Sequence, residues 1–131
     1  MEKIGVIGLG NMGMGIAKNV INNGYKTMGY DLRDSCLTEL KKNGGDAAES
    51  VEKVGESCDV VFVMVMNGDQ VKDVVTKLSP GLKNRGTIII TATITPEEVR
   101  VAHKIAQENN IKMIDSPVSG GLQGAHEGTL T

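Results

Sequence analysis

The sequence predicts an α/β fold in which a doubly wound, mainly parallel sheet carries helices on both faces. Short apolar runs alternate along the chain with stretches whose apolar residues recur at three- and four-residue spacing, the pattern of strands alternating with amphipathic helices. The run Val60 to Met66 is continuously apolar and rich in β-branched residues, as expected for a central strand buried on both faces. A length of 131 residues suits one domain, so we expect residues 1–131 to form a single unit.

A glycine-rich turn, Gly-Leu-Gly-Asn-Met-Gly at residues 8–13, joins the first strand to the first helix. Glycines at these positions allow a tight turn, close approach of the backbone to a diphosphate, and close packing of helix on strand. The next strand, Lys26 to Tyr30, ends at Asp31, which lies 18 residues after Gly13 and close to the spacing that places an acid against the adenosine ribose. This unit indicates a Rossmann-type, dinucleotide-binding domain, against the alternative of a glycine turn with no ligand.

The second helix follows Asp31, and its cap is predicted at Asp34 or Ser35, with its end at Asn43-Gly44-Gly45. The next stretch is ambiguous. Ala47-Ala48 reads as a very short strand, and Ser50 as the cap of one helical turn through Val54.

After the central strand, Val71, Val74, Val75 and Leu78 repeat with helical spacing behind a cap predicted at Asp69. We predict that this helix ends at Pro80-Gly81 and that Ile88 to Thr91 forms the next strand.

The last predicted helix has the clearest start in the sequence. Thr95 at the cap, Pro96 at the first position and Glu98 reaching back form a capping box. This helix stops at Asn109-Asn110, and Ile111 to Ile114 follows as a further strand.

The composition excludes several classes of partner. Apolar residues make up 40% and the formal net charge is -2, with one Phe, two Tyr and no Trp, so nothing indicates a nucleic-acid or membrane surface. Cys36, Cys58, His103 and His126 lack the spacing of metal ligands, and we predict no metal. Isolated cysteines and a chain that enters its first strand almost at Met1 favour the cytoplasm.

Ligands of doubly wound sheets bind beyond the carboxyl ends of the strands. Polar and glycine residues cluster at those predicted ends, at Gly8, Asp31, Asn67, Thr91 to Thr93 and Asp115 to Ser119. We interpret them as a small-molecule site.

Three separated stretches resemble the β-hydroxyacid dehydrogenases, the family that includes 3-hydroxyisobutyrate dehydrogenase and tartronate semialdehyde reductase. They are the turn at residues 8–13, Thr93-Ile94-Thr95-Pro96, and Asp115 to Gly121 followed by Gly124-Ala125 and Gly128-Thr129-Leu130. The resemblance covers the whole chain. It implies an NAD-dependent oxidoreductase that moves hydride between the cofactor and the hydroxyl carbon of a small β-hydroxy acid.

The resemblance also implies the site residues. Binding of the substrate carboxylate is carried over to Ser119, Gly120 and Gly121, and a flexible hinge at the two glycines is the alternative. Residues just ahead of Thr93 depart from the family pattern, with Ile90 and Ala92 in place of an acid and a serine. The cofactor set is assigned to Gly8, Leu9, Gly10, Asn11, Met12, Gly13, Asp31, Met64, Val65, Met66, Asn67 and Thr93.

The family's general acid/base is a lysine on a helical second domain, and no lysine of this chain matches it. We therefore expect the catalytic lysine to lie beyond Thr131, and we interpret Lys104 and Lys112 as solvated charges. Surface that a helical domain normally covers would favour self-association of the chain. The alternative is a free-standing NAD-binding or regulatory module without catalysis.

Two related enzyme classes are disfavoured by particular residues. The 6-phosphogluconate dehydrogenase type carries Gly-Pro-Ser where this chain has Gly128-Thr129-Leu130, and imine reductases lack the Ser119-Gly120-Gly121 pattern. NAD is favoured over NADP because Asp31 would repel a 2'-phosphate. Arg33 complicates this preference, although it lies one position beyond the arginine of NADP-using relatives, where this chain has Leu32.

Overall fold

The computed structural model of the chain describes residues 3–65, 67–91 and 94–116. Six strands and five helices alternate in this part of the chain: β1 Lys3–Ile7, α1 Asn11–Asn22, β2 Lys26–Tyr30, α2 Asp34–Lys42, β3 Asp46–Ala47, α3 Val51–Ser57, β4 Val60–Val63, α4 Gly68–Leu82, β5 Thr87–Ile90, α5 Pro96–Glu108 and β6 Lys112–Asp115.

The strands form one sheet in the order β3-β2-β1-β4-β5-β6, and each of its strand pairs is parallel. The chain moves outward in one direction from β1 to β3 and then returns to place β4 on the other side of β1. The predicted doubly wound fold class and the central position of β4 are confirmed. The reversal beside β1 opens a crevice at the carboxyl ends of β1 and β4, where sheets of this kind bind ligands.

Two apolar cores lie on opposite faces of the sheet. One holds Val6, Leu9, Met14, Ala17 and Leu40, which bring α1 and α2 onto the face of β1 that Val6 occupies. The other core is larger and packs α3, α4 and α5 onto the opposite face. The predicted helices on both faces are therefore confirmed.

One part of the sheet belongs to neither core in the described residues. Phe62, Ile89 and Ile114 are register partners across β4, β5 and β6, on the face that Val6 presents. Among the described residues none of the three packs into the two cores, and Ile114 is 43% exposed. We call this row of three side chains the open sheet face.

Two predicted helix caps were wrong. α2 has Arg33 at its N-cap, with Asp34 already its first residue and no side-chain cap. α4 is capped by Asn67, whose Oδ1 accepts a hydrogen bond from the Gln70 N–H at 3.0 Å, and Asp69 lies inside the first turn. The two helix starts were misplaced because Asp is favoured as a cap and, as an anion, also inside the first turn.

The predicted end of α4 at Pro80-Gly81 was also wrong, because the helix continues to Leu82. Tertiary packing outweighs the missing Pro80 N–H. A Cβ on Gly81 would lie 2.4 Å from the backbone of Gly55, so α3 and α4 approach each other closely at this point. Leu78 and Leu82 are fully buried there, which holds the last turn in place.

Other boundaries were close. Ser50 caps α3, which runs three residues past the predicted Val54 to Ser57. The capping box of Thr95 and Glu98 is confirmed, with hydrogen bonds in both directions. β4 ends at Val63, which leaves Met64 and Val65 beyond the strand.

Candidate functional site

A groove with a volume of about 870 Å³ lies at the carboxyl ends of β1, β2 and β4, a size within the usual range of small-molecule pockets. Loops after the three strands form its floor, and α3 and α4 form one wall. Its lining residues are Ile7, Gly8, Gly10, Tyr30, Asp31, Leu32, Arg33, Ser50, Val51, Glu52, Met64, Val65, Asp69, Gln70, Asp73, Val74 and Lys77.

Two glycines of the turn are required by the protein's own packing. Gly8 has φ +93°, and a Cβ on it would lie 2.0 Å from the carbonyl oxygen of Met64. A Cβ on Gly13 would lie 1.8 Å from the carbonyl oxygen of Gly8. Real Cβ atoms are not found this close to backbone, so any larger residue at either position would force the turn apart.

The middle glycine differs from these two. Gly10 has φ −68° and ψ −170°, a conformation open to any residue. A Cβ on it would meet only Nη2 of Arg33, at 3.6 Å, which is an ordinary contact. The fold itself therefore does not need glycine here, and the open space above this backbone fits a diphosphate.

The N-terminus of α1 faces the same space. α1 has no side-chain cap and no acid in its first turn, whereas side chains of Ser50, Asn67 and Thr95 cap α3, α4 and α5. The first amides of a helix lack partners inside the helix and carry a partial positive charge. An anionic group bound above Gly10 would accept hydrogen bonds from these amides and be stabilised by their partial positive charge.

Asp31 is held by hydrogen bonds from two residues. Its Oδ2 accepts from the Leu9 N–H at 2.7 Å and from Nη2 of Arg33 at 3.1 Å, and its Oδ1 accepts from the N–H and from Nε of Arg33, each at 2.9 Å. Burial raises the pKa of this carboxyl, but the hydrogen bonds from Arg33 and Leu9 outweigh burial and lower the pKa from 3.8 to about 2. Asp31 is therefore a fixed anion at neutral pH.

The structure brings together at the groove five of the predicted cofactor residues: Gly8, Gly10, Asp31, Met64 and Val65. Leu9 was also predicted to contact the cofactor, but it is not among the residues that line the groove. Its side chain is 2% exposed in the core, and its N–H holds Asp31.

The remaining predicted residues fall into two groups. Asn11, Met12 and Gly13 form the first turn of α1, and Asn67 caps α4 with its side-chain oxygen. The other predicted residues lie outside the described parts of the chain: Met66, Thr93, Ser119, Gly120 and Gly121.

One wall of the groove was not predicted from the sequence. Asp73, Val74 and Lys77 line it from α4, and Ser50 and Glu52 line it from the start of α3. The three- and four-residue spacing of Asp73, Val74 and Lys77 along α4 could have indicated that they share one helix face. It could not have indicated which ligand that face contacts. Lys77 pairs with Asp73 at 2.9 Å on this wall.

Within residues 3–65, 67–91 and 94–116, no group of three or more His, Cys, Asp or Glu side chains is arranged to hold a metal ion. Over the same residues, no helix has the length and apolar character needed to cross a membrane. Lys104 and Lys112 are exposed, as predicted for solvated charges.

Comparison with known proteins gives consistent matches. Residues 3–131 match the family model described as the NAD binding domain of 6-phosphogluconate dehydrogenase. The chain is 34% identical over 132 residues to 2-(hydroxymethyl)glutarate dehydrogenase from Eubacterium barkeri, covering 98% of this chain and 44% of that protein. It is 34% identical over 138 residues to an NAD-dependent L-serine dehydrogenase from Pseudomonas aeruginosa, covering 100% of this chain and 45% of that protein.

Among solved structures, 3-hydroxyisobutyrate dehydrogenase from Mycobacterium tuberculosis with L-serine superposes with a TM-score of 0.95 at 28% identity. The match covers 99% of this chain and 45% of that one. The chain thus spans less than half the length of these relatives.

Proposed function

We propose that this chain is the cofactor domain of a dehydrogenase for small β-hydroxy acids. The premise is that the chain belongs to the family described as the NAD binding domain of 6-phosphogluconate dehydrogenase. The observation that carries the cofactor role is the open space above Gly10 beside the Asp31 carboxylate. Relatives of this chain are named as hydroxyacid dehydrogenases, among them 3-hydroxyisobutyrate dehydrogenase, and these names support the substrate class. Bound nicotinamide supplies the hydride chemistry in such enzymes.

The residues of this chain position and orient the cofactor. The amides at the start of α1 would hold the diphosphate above Gly10, and Asp31 would accept hydrogen bonds from the adenosine ribose. Met64 and Val65 directly follow β4 and line the groove, so their side chains would supply apolar contacts to the bound cofactor.

We expect NAD to bind more tightly than NADP, and Asp31→Asn to weaken NAD binding and narrow the difference. The neutral amide loses charge-assisted hydrogen bonds worth about 1 to 3 kcal/mol and no longer repels a 2'-phosphate. Titration calorimetry with both cofactors at one ionic strength measures this. Asp73→Asn makes the same charge change on the opposite wall and serves as the matched control. Tighter binding of NADP by the unchanged chain would contradict the assignment.

The pH dependence of NAD binding provides a second check on Asp31. Because its pKa is lowered to about 2, the carboxylate keeps its charge across the neutral and mildly acidic range. The stability that the Asp31–Arg33 pair contributes is fully present above the ordinary value of 3.8 and is lost as pH falls through about 2. Affinity for NAD should therefore be flat between roughly pH 5 and pH 8.

The substrate carboxylate is proposed to bind at Ser119, Gly120 and Gly121. A serine hydroxyl and consecutive glycine amides can converge on an anion. In NMR spectra of the chain saturated with NAD, a small hydroxy acid such as 3-hydroxyisobutyrate should shift the amide signals of these three residues most. Shifts spread over the chain without focus on this segment would show that the assignment is wrong.

We also propose self-association of the chain through the open sheet face, with a second copy as the occupant. A parallel sheet normally has both faces covered, and Phe62, Ile89 and Ile114 form an apolar row there. Ile114→Asp should lower the fraction of dimer in sedimentation velocity runs, whereas Val101→Asp, at another exposed apolar residue, should not. An unchanged dimer fraction in the first variant, or a monomeric parent chain, would contradict the proposal.

A cytoplasmic location is proposed on the state of the cysteines. Cys36 and Cys58 are free thiols, and Cys58 is fully buried. Burial raises the pKa of the Cys58 thiol to about 11, so this thiol stays protonated and unreactive. Free thiols of this kind suit a reducing compartment.

A further inference from the structure

The acceptor capacity of Asp31 is already used within the protein. A carboxylate offers about four acceptor positions, and Asp31 receives four hydrogen bonds: from the Leu9 N–H, the Arg33 N–H, and Nε and Nη2 of Arg33. A ribose diol needs two of these positions. One pair of donors must therefore leave before the ribose can bind.

The two kinds of donor differ in how easily they can move. The Leu9 and Arg33 amides belong to the backbone of the glycine turn and of the N-cap of α2, and the Leu9 side chain is anchored in the core. The Arg33 side chain is 61% exposed. Its guanidinium can therefore swing into solvent without disturbing the fold, and the amides cannot.

The guanidinium also matches the ribose in shape and position. Nε binds Oδ1 and Nη2 binds Oδ2, one donor for each oxygen, as the two hydroxyls of a diol would bind. Nη2 lies 3.6 Å from the position of a Cβ on Gly10, so the group extends over the edge of the diphosphate space. Arg33 thus occupies the volume through which the adenosine half must enter.

We propose that Arg33 occupies the ribose subsite in the free protein and is displaced from Asp31 when NAD binds. This inference rests on the assignment of Asp31 to the ribose. NAD binding then has to break the ion pair between Arg33 and Asp31, so Arg33 lowers the affinity for NAD. An arginine that contacted the cofactor would raise this affinity instead.

Titration calorimetry with NAD tests this in the chain and in Arg33→Gln, with Lys53→Gln as the control. The Lys53 side chain is 57% exposed, pairs with Glu56 and does not line the groove, so its substitution makes the same charge change without touching Asp31. Arg33→Gln should bind NAD about threefold to fivefold more tightly, the fold-change expected when the Arg33 ion pair no longer competes. Lys53→Gln should not show this gain.

Weaker or unchanged NAD binding in Arg33→Gln would overturn the proposal. If this variant lost more affinity for NADP than for NAD, Arg33 would instead be a ligand of the 2'-phosphate. Arg33→Lys supplies a second variant, since one ammonium cannot span both carboxylate oxygens, and it should also bind NAD more tightly. In NMR spectra of the unchanged chain, NAD should shift the Arg33 Nε–H signal toward that of a solvated arginine. Failure of the cofactor assignment is distinguishable, because all the variants and the unchanged chain would then give no binding heat with NAD.

Discussion

Gly10→Ala is expected to weaken NAD binding by about 2 to 3 kcal/mol, or roughly 30- to 140-fold, while the domain stays folded. The backbone at Gly10 has φ −68°, and the added methyl group meets only an ordinary contact with Arg33. Replacing glycine at such a position reduces the entropy of the unfolded chain, but Gly10 is also the N-cap of α1, where glycine is preferred over alanine. These two effects oppose each other, so the free energy of unfolding should change by no more than about 1 kcal/mol. The methyl group would stand where the diphosphate approaches the backbone.

Gly13→Ala should give the opposite pattern, and this contrast makes the test sharp. Its Cβ would lie 1.8 Å from the Gly8 carbonyl oxygen, and relieving that overlap means moving α1 away from the turn. We expect a loss of about 3 kcal/mol or more in the free energy of unfolding. Urea unfolding curves and NAD titrations on both variants separate the two roles. A Gly10→Ala variant that unfolds early, or that binds NAD normally, would refute the ligand-based explanation of this glycine.

Purified residues 1–131 are expected to bind NAD without sustained turnover of any β-hydroxy acid. Moving hydride to a carbonyl carbon requires a proton at its oxygen, and removing hydride from the hydroxyl carbon requires that oxygen to lose its proton. A positioned general acid/base contributes about 10² to 10⁴ in rate. From the resemblance we expect that lysine beyond Thr131, and Lys104 and Lys112 are exposed to solvent. Loss of substrate orientation would cost several further powers of ten.

The assay incubates the chain with NAD and a panel of 3-hydroxyisobutyrate, glycerate and threonate, and follows the absorbance of NADH. NAD binding in the same preparation, measured by calorimetry, is the control that the chain is folded and competent. Sustained turnover with any of the three acids, in a preparation free of longer enzyme, would show that the acid/base lies within this chain. The encoding reading frame past Thr131 separates the enzyme hypothesis from a free-standing module, because only the former needs a helical domain with an inward-facing lysine.

The sequence alone predicted the elements of the fold because the apolar pattern and the caps at Ser50 and Thr95 are local signals. Asp31 could be placed at the end of β2 by counting from Gly13, and the capping box at Thr95 follows from four residues. The continuation of α4 through Pro80 could not be predicted in this way. It depends on the close approach of Gly81 to Gly55, which is a contact between two helices.

The site shows the same division between local and tertiary information. Glycine spacing identified Gly8, Gly10 and Gly13 together, but only the structure separates the two positions whose packing requires glycine from the one whose packing does not. Likewise, the sequence marked Arg33 as a complication for NADP, whereas its hold on both oxygens of Asp31 depends on the turn of the chain into α2. Predicting the wall formed by α4 would have required knowing that β4 lies beside β1 in the sheet.

The contacts of Gly8 make the glycine turn preorganised. Its N–H donates to the Tyr30 carbonyl at 2.9 Å, and its own backbone is enclosed by Met64 and Gly13. Two segments distant in sequence, the ends of β2 and β4, thus fix the shape of the turn together with the start of α1. A diphosphate bound at this turn, as proposed above, would therefore cost little conformational entropy in the backbone that receives it.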